Sequence, residues 1–311
     1  MPTKQRRSHC FFLFTTLVLA CDTSSSVATR PLPRPPITAS EPARLPAGTY
    51  NLRGTPMKGR TRHLEVNFDV EAAQLTIKAG PLTFTGTMGI HVQNTDELEI
   101  LVVSGGLIHH GRLSHLLDKT ATTMRMNMPD GTVETENEEE FGELHGRTEL
   151  ITLTAGRWTR KLIGAAPSAE LAGELEAAPI DDAGYPAAIK IGETWTLTGP
   201  ALRRWMGSGV TATRGQIKNT LVAVEVLAAE TIAVIESAGE VGGKMRDEDD
   251  REMDFTMRVE GTERRSLERA MEIEAVGQGS IEFSQAYVED GLPMSLSIAG
   301  PVTIRVKGTL F

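Results

Sequence analysis

The chain has almost no cysteine and few aromatic residues. Its two cysteines are Cys10 and Cys21, and the first lies in a segment that we expect to be removed. No intramolecular disulfide is then available, which a chain of this length tolerates because disulfides are essential mainly to small domains. With aromatic residues at 5%, the core must come mainly from Val, Ile, Leu and Met, and Met packs flexibly around irregular gaps.

Basic residues are also in the minority. The chain carries 32 Lys and Arg against 41 Asp and Glu, a formal net charge of −9. Nucleic-acid binding and docking on anionic lipid both need clustered cations. We therefore expect no nucleic-acid partner, and any attachment to a membrane must have another cause.

The amino terminus has the pattern of an export signal. Three cations lie within residues 1–10, and residues 11–20 read FFLFTTLVLA. This length is typical of the apolar region of a signal peptide and is too short for a transmembrane helix. The run ends in Leu17-Val18-Leu19-Ala20-Cys21, which resembles the lipobox of bacterial lipoproteins.

This resemblance implies cleavage between Ala20 and Cys21 and a diacylglyceryl thioether on Cys21. The lipid would anchor the protein outside the cytoplasm, in the cell envelope, at the periplasmic face of a membrane or at the cell surface. Each buried methylene of an acyl chain contributes about 0.8 kcal/mol, so two or three chains give a stable anchor. An ordinary cleaved signal with an accidental cysteine is the alternative.

Composition divides the chain into five segments. Residues 22–46 are rich in Ser, Thr and Pro without apolar periodicity, which favours a disordered tether. A segment at 167–178 has a Ser168 cap, Leu171 and Leu175 four residues apart, and Pro179 after it, which predicts a short helix. The predicted organisation is a signal peptide at 1–20, lipidated Cys21 and tether at 21–46, an N-terminal β half at 47–164, a linker with the short helix at 165–190, and a C-terminal β half at 191–311.

Apolar residues alternate with polar ones through most of the body, which predicts β-strands with one wet face. The predicted strands are 64–70, 73–79, 82–92, 97–104, 148–154, 214–228, 230–236, 252–260, 267–276, 279–285, 294–300 and 302–310. Pro129-Asp130-Gly131 predicts a hairpin, residues 289–293 a loop, and Ala299-Gly300-Pro301 a tight turn. Such short connections require antiparallel pairing. We predict an all-β, mainly antiparallel fold, built as a half-barrel, an open barrel or two β lobes, with one or two short helices, the second at 200–207.

No motif for catalysis or metal binding is recognised. The cluster His109, His110 and His115 lacks the spacing of a zinc site, so we expect partly exposed histidines in a loop or short helix. The acidic runs 134–143 and 247–254 lack the offsets of a calcium loop and are expected to be solvated loops at hairpin ends. No catalytic residue, metal ligand or cofactor is therefore predicted, and no G-x-S-x-G motif is present.

In overall style the body resembles half-barrel lipid-carrying lipoproteins and uncharacterised envelope lipoproteins, with Gly192-Glu193-Thr194-Trp195 followed by antiparallel strands. The resemblance implies a non-catalytic binding module for an apolar ligand. Either core packing or ligand contact accounts for the alternating methionines, and core packing is the favoured interpretation. They are Met124, Met126, Met128, Met253 and Met257.

Two other functions stay open. One is a structural or protein-interaction lipoprotein with an envelope protein as partner, which an exposed apolar patch would favour. The other is a hydrolase or metal enzyme in which the fold brings histidines and carboxylates together. The candidate histidines are His63, His91, His109, His110, His115 and His145.

Overall fold

A computed structural model describes residues 43–45, 48–128, 130–164, 166–168, 171–172, 175, 184–206, 210–227, 230–246, 251–289 and 291–311. Fifteen strands and one complete helix are assigned within these residues. The strands are β1 Ala43–Arg44, β2 Thr49–Tyr50, β3 Thr61–Ala79, β4 Leu82–Ser104, β5 Leu107–Asn127, β6 Val133–Phe141, β7 Thr148–Thr154, β8 Arg157–Leu162, β9 Ile189–Lys190, β10 Thr194–Leu197, β11 Val210–Leu227, β12 Glu230–Arg246, β13 Glu252–Ser266, β14 Met271–Glu289 and β15 Leu292–Leu310. The helix is α1 Gly199–Met206.

Thirteen of these strands form one sheet, and every pairing is antiparallel. The order is β1-β11-β12-β13-β14-β15-β3-β4-β5-β7-β8, with β10 beside β11 and β6 beside β5. Strand β15 pairs with β3, so strands from both halves of the chain share this sheet. Strands β2 and β9 form a separate two-stranded sheet. The prediction of an all-β, mainly antiparallel fold is confirmed.

The main core lies on one face of the large sheet. Alternate residues of β3, β4 and β11 to β15 are buried there, and Leu202 of α1 packs into the same cluster. Phe255 and Phe283 are its largest fully buried side chains, each 1% exposed. Three smaller clusters lie around Leu52, Ile100 and Leu171. None of the helical segments in the described part of the chain combines the length and the apolar character that a bilayer crossing requires.

Several predicted strands are parts of longer ones. Residues 64–70 and 73–79 both belong to β3, 82–92 and 97–104 both belong to β4, and 279–285 continues the strand that begins at Met271. Bulges accompany two of these junctions. In β3 the register shifts between Val70 and Ala73, and Ala72 has a φ of 48°. A bulge bends a strand without ending it, so β3 continues where the sequence predicted two separate strands.

The predicted tight turn at Ala299-Gly300-Pro301 is also wrong. These residues lie inside β15, where the register against β3 shifts between Ala299 and Val302. A Cβ on Gly300 would lie 2.6 Å from the Cα of Ala73, so a side chain would collide with the neighbouring strand. Proline has no N–H to donate, and a bulge is one of the few places in a sheet that accept it.

Other turn and helix predictions agree with the structure. A hairpin joins β5 to β6, with Gly131 at a φ of 84°, and residues between Glu289 and Leu292 join β14 to β15. In the linker, the Leu171 N–H donates to Ser168 Oγ at 3.0 Å, as expected of an N-cap. The second predicted helix is α1. The five-segment division of the chain stays a prediction.

Candidate functional site

The predicted lipidation site lies outside the described residues. This applies to Ala20, Cys21 and the whole of residues 1–42, so signal cleavage and anchoring stay predictions. Within the described chain, the side chains that could form a reactive or binding site are the charged ones on the buried face of the large sheet. Two networks are found there, one around His115 and one around Arg265.

Strand β5 carries His115 into a buried ion network, whereas the sequence predicted a partly exposed histidine in a loop or short helix. Its Nδ1 lies 2.7 Å from Asp96 Oδ1 on β4, and its Nε2 lies 2.6 Å from Glu149 Oε1 on β7. Arg160 of β8 donates from Nε to Glu149 Oε2 at 2.7 Å. Two cations therefore balance two carboxylates, which is the condition under which proteins bury charge.

The pKa values of this network follow from that pairing. Burial opposes the charged form of His115, but Asp96 and Glu149 outweigh it and raise the pKa to about 10. Burial likewise opposes ionisation of Glu149, but hydrogen bonds from Arg160 and His115 outweigh it and lower the pKa to about 2. His115 thus keeps both ring protons at neutral pH, and neither nitrogen is a free base or a metal ligand.

Polar residues continue on the same face beside His115. The carboxyl group of Asp118 is buried, which raises its pKa, and Asp96 adds to this effect while His115 opposes it. The Asn94 amide, oriented to suit its surroundings, donates to Asp118 Oδ1 at 3.0 Å. His145 Nδ1 accepts from the Asp118 N–H at 3.4 Å. The fold therefore brings His115 and His145 together.

Three other candidate histidines, His63, His91 and His110, have different partners. His63 contacts Glu65 and Glu97, His91 contacts Asp69, and His110 contacts Thr152 Oγ1 at 3.0 Å. Within the described ranges, no group of three or more His, Cys, Asp or Glu side chains has the geometry to hold a metal ion. The histidines do not assemble into one centre.

The second network surrounds Arg265 near the end of β13. Its guanidinium donates to the Leu52 carbonyl at 2.6 Å and to Glu272 Oε1 at 2.6 Å, and it lies 3.9 Å from the ring centre of Tyr185. The Tyr185 hydroxyl lies 2.9 Å from Glu263 Oε1 and 2.7 Å from Glu272 Oε1. These contacts tie residues from three distant parts of the chain together.

The acidic run 134–143 was predicted to be a loop, and this is wrong. It forms most of β6, a strand that pairs only with β5 in the described chain. Glu134 and Glu136 stand opposite Met126 and Met124, so these side chains share a face, because directly paired residues in antiparallel strands do so. A charged edge of this kind discourages pairing with further strands. The second run lies partly outside the described residues, and its last three residues, 252–254, belong to β13.

The methionines divide into two groups. Met253 and Met257 are fully buried in the main core, as predicted. Met124 and Met126 pack against that core but stay partly exposed, together with Ile77, Val259 and Val306. The apolar face of the sheet therefore extends beyond the fully buried core.

Comparisons with known proteins add little. No protein-family model matches the chain, and no curated protein matches it. The chain is similar to the solved structure of a DUF1329 family protein from Desulfovibrio piger, with 7% identity, a TM-score of 0.13, and coverage of 80% of this chain and 84% of that one. A likeness at this level carries no argument about fold or function.

Proposed function

We propose that this chain is an exported lipoprotein, anchored through lipid on Cys21, whose sheet is a non-catalytic binding module for an apolar ligand. The observation that carries the binding role is the partly exposed apolar margin of the main core, which includes Met124 and Met126. Methionine adapts its shape to irregular apolar partners. A ligand lying on this margin would remove further apolar area from water, at about 25 cal/mol per Å².

The state of His115 supports a non-catalytic role. A general base needs a free lone pair near neutral pH, and both ring nitrogens of His115 face carboxylates at 2.6 to 2.7 Å. Strongly shifted pKa values often mark active sites, but structural ion networks produce them as well. The hydrolase or metal-enzyme alternative accordingly has less support.

A structural or protein-interaction role is the second candidate, and one surface feature favours it. Leu82, Val288 and Leu292 are 53%, 72% and 52% exposed and lie at the turns that join β3 to β4 and β14 to β15. These turns are adjacent, since the Gly80 N–H donates to the Pro293 carbonyl at 2.9 Å. Exposed apolar patches often mark protein contacts.

The anchor is tested by metabolic labelling with an alkyne analogue of palmitate in a bacterial host. The wild-type chain should incorporate the label and remain with membranes, and Cys21→Ala should incorporate none. Equal labelling of the two chains would contradict lipidation at Cys21. Replacement of Cys10 by Ala is the matched control and should leave labelling unchanged, because that cysteine lies inside the cleaved signal.

Ligand binding is tested with a neutral fluorescent probe, N-phenyl-1-naphthylamine, on a chain that begins at residue 22. Every described strand lies beyond that point. Replacing Met124 and Met126 together by Gln should weaken probe binding about fivefold or more, the equivalent of roughly 1 kcal/mol of lost apolar contact. Met57, which is 39% exposed, is the control, and Met57→Gln should have no effect. Absence of probe uptake, with a single empty species in native mass spectrometry, would refute the binding role.

A further inference from the structure

The Tyr185 hydroxyl lies between two carboxyl groups and has one proton to give. Its oxygen is 2.7 Å from Glu272 and 2.9 Å from Glu263. If both carboxyl groups were ionised, one of these contacts would join two acceptors without a hydrogen. Both contacts are satisfied as full hydrogen bonds only with a second proton, which one of the two carboxyl groups would carry.

The surrounding charges decide which carboxyl group carries it. Glu272 receives a hydrogen bond from Arg265 Nη1 at 2.6 Å and is further stabilised as an anion by Arg62. Tyr185 then donates to Glu272, and protonated Glu263 donates to the Tyr185 oxygen. In agreement, burial and the neighbouring Glu272 raise the pKa of Glu263 to about 7.

This group fastens two segments of chain to the end of the large sheet. Arg265 holds the carbonyl of Leu52, Arg53 Nε donates to the Tyr185 carbonyl at 2.8 Å, and the Leu52 N–H donates to the Pro186 carbonyl at 3.1 Å. The segment around Leu52 follows the predicted tether at 21–46. The chain first joins the large sheet at Ala43–Arg44, which pair with β11, so the contact lies a few residues beyond that point of entry.

We propose that Tyr185, Glu263, Arg265 and Glu272 form a clasp that holds the tether-proximal segment to the sheet when Glu263 is protonated and loosens as the pH rises. Loss of the Glu263 proton leaves two carboxylates in contact with one hydroxyl, and Arg265 and Arg62 both act on Glu272, so repulsion between the two carboxylates favours release. A protein exposed to the external medium would sense the pH of that medium at this point.

The direction and range of the effect follow from proton linkage. A carboxyl group whose pKa rises from 4.5 in the open state to about 7 in the closed state favours closure fully below pH 4.5. The closing equilibrium then weakens by as much as about tenfold per pH unit up to pH 7, about 300-fold in total at most, and is constant above it. Glu272, whose pKa is lowered, acts in the opposite direction only below pH 4.5.

Amide hydrogen exchange on the full chain in neutral detergent tests the clasp. Protection factors for peptides covering 48–54 and 184–191, corrected for intrinsic rates, should fall between pH 5 and pH 7 and then level. Amides of β4 at 88–92, a strand that is paired on both sides by β3 and β5, should not follow, which separates local opening from global unfolding. Uniform loss across the chain, or no loss in the two segments, would overturn the proposal.

Two variants and a control complete the experiment. Glu263→Gln supplies a permanent donor to the Tyr185 oxygen and should give high protection without a pH slope, whereas Glu260→Gln, an exposed residue of the same strand, should keep the wild-type slope. Tyr185→Phe retains the ring beside Arg265 and should reduce the slope by removing the shared hydroxyl. A wild-type slope in Glu263→Gln would show that another group titrates.

Discussion

Replacing Glu149 by Gln should destabilise the fold, because it removes one of the two carboxylates that balance the charges of His115 and Arg160. Glu149 has no exposed surface, and it contacts both His115 and Arg160. The shift of its pKa from 4.5 to about 2 corresponds to about 3 kcal/mol of folding free energy at neutral pH. Loss of one partner from a buried ion pair independently gives about 3 to 5 kcal/mol. Both estimates describe the same loss, since the variant leaves two buried cations with one carboxylate.

The measurement is urea unfolding of the chain from residue 22, followed by circular dichroism. At pH 6 the variant midpoint should lie about 1 M below that of the wild type, for a slope of about 3 kcal/mol per M. Because the pKa of Glu149 is lowered, its contribution is present above pH 4.5 and is lost as the pH falls toward 2. At pH 3 the difference should therefore shrink to about 1 kcal/mol.

An exposed pair on the neighbouring strand is the control. Glu99 lies 2.8 Å from Arg112, with side-chain exposures of 41% and 50%, and solvent screens such a pair. Glu99→Gln should change stability by no more than about 0.5 kcal/mol. If Glu149→Gln also changes stability by less than about 1 kcal/mol, or by the same amount at pH 6 and pH 3, the charge balance described for His115 is incorrect.

Two further substitutions test the sheet itself, measured by the same unfolding assay. A Cβ on Gly279 would lie 1.8 Å from the Arg258 carbonyl, whereas one on Gly277 meets only ordinary contacts from 3.4 Å. Gly279→Ala should therefore lower the free energy of unfolding by about 1 to 3 kcal/mol. Gly277→Ala, the control, should lower it by clearly less. Phe255→Ala should remove about 3 to 5 kcal/mol from the main core, while Phe141→Ala, at a side chain 54% exposed, should leave stability within about 0.5 kcal/mol.

Apolar alternation was sufficient to predict the strands but not their lengths. Every predicted strand lies mainly within an observed strand, yet glycine and proline were treated as ends. In β14, Gly277 and Gly279 both lie inside the strand. Glycine is needed at Gly279 because the neighbouring backbone leaves no room for a side chain there. Close approach and turn formation both select glycine, so the residue type alone cannot distinguish a bend from an end.

Some residues of the two charged networks could have been predicted from the sequence. The alternation that places Phe255, Met257 and Val259 inward also places Glu263 and Arg265 inward if it is continued through β13. The same continuation of β4 from Val92 leads to Asp96. These residues were overlooked because the strands were ended too early. Their partners were not predictable, since the pairing of β5 with β7 depends on register rather than on local pattern.

The His115 network has a further consequence for how the long strands find that register. Strands β4 and β5 contain 23 and 21 residues, and their apolar pattern repeats every two residues. A slip by two would keep every apolar side chain on the same face, so hydrophobic burial discriminates weakly against it. Such a slip would, however, separate His115 from Asp96, which are direct partners beside the bulge at Leu116.

Separated in this way, His115 and Asp96 would become buried charges without their partners. Breaking a buried ion pair costs about 3 to 5 kcal/mol, more than most single apolar contacts contribute. The network lies between the main core, which includes Ile90, and the smaller cluster around Ile100. The apolar pattern continues on both sides of it. The buried ion pair therefore fixes the register of β4 against β5, which apolar alternation alone does not do.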